Sequence, residues 1–116
     1  MKKVYYLSTC NTCKRIMTEL KIGDDFEKQD IKTEPITEEQ LNAMREMTNS
    51  YETLFSKIAR KYKEMGLKDK NLTEEDFKQL ILEEYTFLKR PVFIIDDHIF
   101  IGSSKKVVAA IAQVLS

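Results

Sequence analysis

The sequence predicts an α/β domain built on a mixed four-stranded sheet, and three observations carry that reading. An apolar run at Val4 to Leu7 passes almost directly into one-face helical spacing, and a second short strand candidate follows. Strand, helix and strand in that order make a parallel pair joined by a crossover helix. Near the other end, "RPVFIIDDHIFIG" sets two apolar runs, Val92 to Ile95 and Ile99 to Ile101, around the polar connector Asp96-Asp97-His98. That pattern is a hairpin and adds antiparallel strands. Between these ends lies a block of about 50 residues with helical periodicity. The expected order is strand, helix, strand, a helical insert at about residues 34–88, hairpin and closing helix, within one domain of 116 residues.

Each element has its own local reason. Val4 to Leu7 combines a β-branched residue with two tyrosines, which suits a strand. From Cys13 onward, Cys13, Ile16, Met17 and Leu20 share one helical face, and Gly23 follows Ile22 where a helix C-terminus favours glycine. Cys10 then falls at the helix N-terminus. "DFEKQDIK", with Phe26 and Ile31 set among charges, is the second strand. Thr37 fits an N-cap with Gln40 three residues on, and Leu41, Met44 and Met47 supply the buried stripe behind it. A helical turn around Tyr51 to Phe55 leads into Leu54, Phe55, Ile58 and Tyr62, spaced as a helix running toward Gly66. In "LTEEDFKQLILEEY", Thr73 caps, Asp76 takes the third helical position, and Phe77, Leu80, Ile81 and Tyr85 share a face. "SSKKVVAAIAQVLS" opens on serine caps and places Val107, Val108, Ile111 and Leu115 on one side of the last helix.

Composition narrows the function classes. Lys plus Arg and Asp plus Glu both number 19, so no whole-chain field draws the protein to nucleic acid or to a membrane surface. With 42% hydrophobic residues, three glycines and two prolines, the chain is neither disordered nor of low complexity. No window approaches the roughly 20 apolar residues of a membrane span. The start, "MKKVYYLS", lacks the apolar length and small-residue cleavage site of a secretory signal and reads as the first strand. A cytoplasmic location is the expectation. There thiols are kept reduced, so a close cysteine pair points to catalysis, redox sensing or metal binding before a structural staple.

Cys10 and Cys13 are that pair. At a strand-to-helix junction the first-turn N–H groups are unpaired and carry the positive end of the helix dipole, which favours a thiolate on the first cysteine. The second, one turn inside, stands near enough to close a disulfide and expel a leaving group. Cys13 belongs equally to the apolar stripe of Met17 and Leu20, where a free cysteine behaves as a small core residue. Cys10 has no apolar pattern to join; its neighbours are Ser8, Thr9, Asn11 and Thr12. Lys14 and Arg15 add positive potential or form a solvated face. Zinc is disfavoured, since a structural site wants four ligands and the chain offers two cysteines and one distant histidine. That histidine, His98, reads as a solvent-facing turn residue. Lys57, Arg60, Lys61 and Lys63, flanked by Glu52 and Glu64, read as an exposed helix face. Pro91 heads a core strand, where it gives up a ladder donor and restricts Arg90 to extended geometry.

Together, "YYLSTCNTCKR", "LFSKIARKYKEMGLK" and "FLKRPVFIIDDHIFIG" resemble the arsenate reductase and Spx family, a branch of the thioredoxin-like fold. The shared pattern is a strand followed by Cys-x-x-x-Lys, a helical insert, an Arg-Pro-hydrophobic strand, a hairpin and a glycine before the last helix. The resemblance implies a thioredoxin-like fold with Cys10 as nucleophile and Arg90, beside a cis Pro91, facing its thiolate. It makes Cys13 the second redox thiol and Asn11, Thr12, Lys14 and Pro91 the substrate-binding surroundings. Arsenate-reducing members use further arginines; here Ser56 or Lys57 stands at the middle one, and Ser103, Ser104, Lys105 and Lys106 follow Gly102. The implied activity is a thiol oxidoreductase acting on an oxyanion or a disulfide. It needs no metal or bound cofactor and uses glutathione, glutaredoxin or thioredoxin as thiol partner. Spx-type regulators carry a Cys-x-x-Cys switch and contact RNA polymerase, so a redox-switched regulator binding the polymerase α subunit is the alternative.

Overall fold

Lys2–Tyr6 (β1), Glu27–Asp30 (β2), Val92–Ile95 (β3) and His98–Ile101 (β4) form one sheet in the order β2-β1-β3-β4. The computed structural model describes residues 1–116, and the chain divides into two compact units, Met1–Glu34 with Arg90–Ser116, and Pro35–Lys89. In the first unit, β1 runs parallel to β2, with Tyr6 opposite Asp30, and antiparallel to β3. The helix Asn11–Glu19 (α1) makes the crossover between the parallel strands, and Lys105–Leu115 (α6) closes the chain. This is the mixed four-stranded α/β sheet that the sequence predicts.

Because side chains alternate along a strand, Val4, Phe93 and Ile95 share one sheet face. They form a core with Phe26, Ile16 of α1 and Ile111 of α6. Phe26 meets Phe93 edge-on, with ring centroids 5.9 Å apart. Each fully buried aliphatic or aromatic side chain here contributes about 1.5–3 kcal/mol. Lys3 and Tyr5 point to the other face, where Lys3 reaches Glu27 at 2.6 Å and lies 4.8 Å above the Tyr5 ring.

Two boundaries differ from the sequence expectation. α1 ends at Glu19 with Leu20 as its C-cap, and Lys21, not Gly23, takes the left-handed conformation, with φ 56°. The Ile22 N–H donates to the Met17 carbonyl at 2.9 Å and the Lys21 N–H to Thr18 at 3.1 Å, so the helix stops in a Schellman motif. Ile22 packs against the core, and this contact decides the stop over the glycine two residues on. In the hairpin, His98 is the first residue of β4 and lies opposite Ile95, so the turn is Asp96-Asp97 alone. Ladder pairing extends one residue further than apolar character does. Gly102, at φ 96°, then turns the chain toward α6, whose cap Ser104 accepts from the Val107 N–H at 3.2 Å.

The second unit contains Glu38–Thr48 (α2), Tyr51–Leu54 (α3), Arg60–Glu64 (α4) and Glu74–Glu83 (α5), with 3-10 turns at Leu67–Asp69 and Tyr85–Phe87. Thr37 with Gln40 and Thr73 with Asp76 form the two capping boxes that open α2 and α5. The Glu74 carboxylate accepts from the Tyr51 N–H at 2.7 Å, the Glu52 N–H at 3.2 Å and the Ser50 hydroxyl at 3.2 Å, satisfying the free first turn of α3. The expected helix through Leu54, Phe55, Ile58 and Tyr62 is interrupted. Phe55 is extended and bridges Leu88, and the Ser56 N–H donates to Phe87 at 2.7 Å. The cause is aromatic packing: Phe55 stacks on Phe87 at 4.9 Å and tilts against Phe77 at 4.9 Å. Ile58 consequently leaves the apolar stripe and is 96% exposed. Tyr85 likewise leaves the face of α5, because Glu84 turns extended and ends that helix.

Candidate active site

β1 ends at Tyr6, and a turn closed by the Cys10 N–H on the Leu7 carbonyl, 2.9 Å, delivers Cys10 to the N-cap of α1. The Cys10 backbone is extended (φ −95°, ψ 111°) and its carbonyl accepts the Lys14 N–H at 3.2 Å, the opening bond of the helix. Its Sγ completes no capping bond but sits where the unpaired N–H groups of the first turn act on it. Partial burial works against ionisation of Cys10. That effect is outweighed by the Cys13 N–H, the Cys13 thiol, the Arg90 guanidinium and the Thr12 N–H, which together hold the thiol below its ordinary range.

Cys13 is placed oppositely. It lies on the inner face of α1 with 0% of its surface exposed. Burial, and after it the neighbouring Cys10 sulfur, push its thiol up to about 11 against the opposing effects of the Leu7 backbone and Arg90. Arg90 is half-buried, its peptide bond to the buried Pro91 is cis, and the Pro91 carbonyl accepts the Gly102 N–H at 3.0 Å. The structure therefore brings Cys10, Cys13 and Arg90 into mutual electrostatic reach. Asn11, Thr12, Lys14 and Arg15 are exposed along the first turns of α1. His98 is exposed in β4, its ring 6.2 Å from Phe100. No group of three or more His, Cys, Asp or Glu side chains is arranged to hold a metal ion.

One partner in this neighbourhood was not legible beforehand. The Ser8 hydroxyl donates to the Asp30 carboxylate at 2.5 Å, and the N–H groups of Ser8 and Lys32 donate to the same carboxylate at 3.4 and 3.2 Å. The Ser8 hydroxyl is the chief reason that Asp30 is held below the usual carboxylate range. Only the parallel register, which sets Asp30 beside Tyr6, brings these residues together, and 22 residues separate them in sequence.

The ArsC family pattern matches residues 5–111, a span that includes both cysteines, Arg90 and Pro91. The chain belongs to the ArsC family. No curated protein matches it. Among solved structures, this ArsC-family chain is similar to a protein from Staphylococcus aureus COL, with TM-score 0.76 and 26% identity over 95% of this chain and 97% of that one. It is also similar to an arsenate reductase from Vibrio cholerae, with TM-score 0.74 and 18% identity over 95% and 96% of the two chains. An arsenate reductase related protein from Brucella melitensis gives TM-score 0.73 and 21% identity over 94% and 92%. At these identities the likeness to the last two is one of fold, the thioredoxin-like arrangement of the ArsC family.

Proposed function

We propose that this ArsC-family protein is a thiol oxidoreductase in which the Cys10 thiolate reduces a disulfide or an oxyanion. With a disulfide, the thiolate attacks one sulfur, a Cys10–S–S bond forms, and the other sulfur leaves as a thiolate. With an oxyanion, the thiolate bonds the central atom and a protonated oxygen leaves as water. A second thiolate then attacks the Cys10 sulfur, and the electron pair of the broken bond stays with the substrate, which is reduced. That second thiolate is Cys13, after giving up its proton, or an external thiol such as glutathione, glutaredoxin or thioredoxin. The Arg90 guanidinium favours the attacking anion and is suited to hold an oxyanion through two parallel donors. Asn11, Thr12 and Lys14, exposed beside Cys10, supply polar contacts to substrate, with Pro91 alongside.

The single observation carrying this reading is the split between the two thiols, one held toward its anion at a helix N-terminus and the other buried and protonated beside it. Steady-state turnover with a glutathione or glutaredoxin couple, lost in Cys10→Ser, is the expected result. No turnover with either arsenate or small disulfides would overturn it. The chemistry suits a reducing cytoplasm, and no helix is long and apolar enough to cross a membrane.

The same thiol pair favours a second reading. The Cys13 thiol neighbours the Cys10 sulfur and interacts with it, which supports a disulfide between them serving as the switch of a regulator that binds the RNA polymerase α subunit. Capture of that subunit in one redox state only, without catalytic turnover, is the outcome expected of this alternative. Equal absence of capture in both states excludes it.

A further inference from the structure

We propose that Asp30 is a positioning residue for Cys10, acting through Ser8 to hold the turn that sets the sulfur at the head of α1. The inference rests on the reading of Cys10 as the reactive thiol and adds a residue to that site.

The geometry is specific. Leu7, Ser8, Thr9 and Cys10 form a four-residue turn closed by the Cys10 N–H on the Leu7 carbonyl, so Ser8 is its first interior residue. Asp30 binds Ser8 at two points, accepting from its hydroxyl at 2.5 Å and from its N–H at 3.4 Å. The aspartate is itself anchored. One of its carboxylate oxygens takes the Lys32 N–H at 3.2 Å, and its carbonyl takes the Thr33 N–H at 3.2 Å and the Glu34 N–H at 2.8 Å. The Ile31 N–H donates to Tyr6 at 2.9 Å, so the ends of β1 and β2 are locked to each other just before the turn begins. A displaced turn would carry the Cys10 sulfur away from the Thr12 and Cys13 N–H groups that favour its anion, and small displacements weaken such bonds steeply.

The electrostatic sign separates this role from a direct one. Asp30 is an anion, and a carboxylate near a thiolate disfavours the thiolate. If Asp30 acted on Cys10 by charge, removing it would make Cys10 more reactive. A positioning role predicts the reverse. The charged groups bearing on the pair are Arg90, which acts on Cys10, and Lys32, which acts on Asp30; both are unchanged in every variant below.

The test is the rate of Cys10 alkylation by iodoacetamide across pH in the native chain and in Asp30→Ala, Asp30→Asn and Ser8→Ala, with denaturant midpoints measured alongside. Asp30→Ala is expected to slow alkylation at pH 7 about tenfold and to move the inflection of the profile upward. Asp30→Asn keeps an oxygen able to accept from Ser8 and is expected to stay within about threefold of the native rate. Alkylation in Asp30→Ala as fast as or faster than native overturns the proposal, as does Asp30→Asn as slow as Asp30→Ala. If Asp30→Ala fails to fold, Ser8→Ala decides: a slower rate with an upward inflection supports the role, and an unchanged profile overturns it. Alkylation needs no substrate, so a chain without reductase turnover would remove the proposed function while leaving this result intact.

Discussion

Cys13 stands one helical turn inside Cys10, and the surroundings push the two thiols in opposite directions, Cys10 toward its anion and Cys13 toward its neutral form. Because Cys13 has no exposed surface, its neutral form is favoured by the fold itself, whereas Cys10 stands among donors at the open end of α1. This division of labour gives the pair an order of events. In the proposed reaction the outer sulfur attacks first, and the inner thiol gives up its proton more readily once the charge on the outer one is gone.

Cys13 is expected to make the protein alkali-sensitive. Its folded-state pKa, about 11, lies above the roughly 8.5 of a free thiol, so the folded state binds the extra proton in that interval. Stability is full below the free-thiol value and falls as pH rises toward 11. Denaturant midpoints measured from pH 8 to 11 should decline in the native chain and decline less in Cys13→Ala. Equal slopes would show that another group controls the loss.

Arg90 is expected to act on Cys10 through its charge. Arg90→Ala removes a cation that favours the thiolate and should slow alkylation of Cys10 at pH 7 by about three- to tenfold, measured with iodoacetamide. Arg90→Lys keeps the charge and should restore much of that rate. It should not restore turnover on an oxyanion, because an ammonium lacks the paired planar donors of the guanidinium.

Glu74 is expected to behave as the cap of a helix that is not its own. Removing its carboxylate in Glu74→Ala leaves two first-turn N–H groups of α3 and the Ser50 hydroxyl without their acceptor and should cost about 1 kcal/mol in denaturant unfolding. Partial burial opposes its charge, but the Tyr51 and Glu52 N–H groups, Ser50 and Arg45 hold the carboxyl below its ordinary range. A depressed folded pKa gives stability that is present above the ordinary glutamate value, about 4.3, and is lost as pH falls through the folded pKa. The acid limb of the stability profile should therefore be shallower in Glu74→Gln.

Two isoleucines should differ sharply. Ile111 is fully buried in the core of the first unit, and Ile111→Ala is expected to cost about 2–5 kcal/mol. Ile58 is almost wholly exposed, and Ile58→Ala should change stability by no more than about 0.5 kcal/mol. Parallel denaturant titrations of the two variants check this, and a larger loss in Ile58→Ala than in Ile111→Ala would contradict the burial of Ile111 and the exposure of Ile58.

Ile58 also shows where sequence reading reaches its limit. Its spacing from Leu54, Phe55 and Tyr62 is helical, but the Phe55 ring is claimed by Phe87 and Phe77 from later in the chain, and tertiary contact overrides local period. Thr37, Thr73 and Ser104 were legible as caps because a cap is a local bond across three residues. The site splits the same way. The position of Cys10 at a helix head follows from its immediate neighbours, and Arg90 from the motif around Pro91. Asp30 was invisible, since its contact with Ser8 depends on which strands pair and in what register. The stop of α1 is hidden for a related reason: the apolar contact of Ile22 with the core is not marked by any residue type that ends helices.

That stop at Lys21 has a practical corollary for anyone engineering this scaffold. A side chain bearing a Cβ occupies a left-handed backbone position at φ 56°, where glycine alone carries no steric penalty. Lys21→Gly is expected to stabilise the fold at an exposed position just past the end of α1 opposite to Cys10, open to a designer who wishes to leave the chemistry alone.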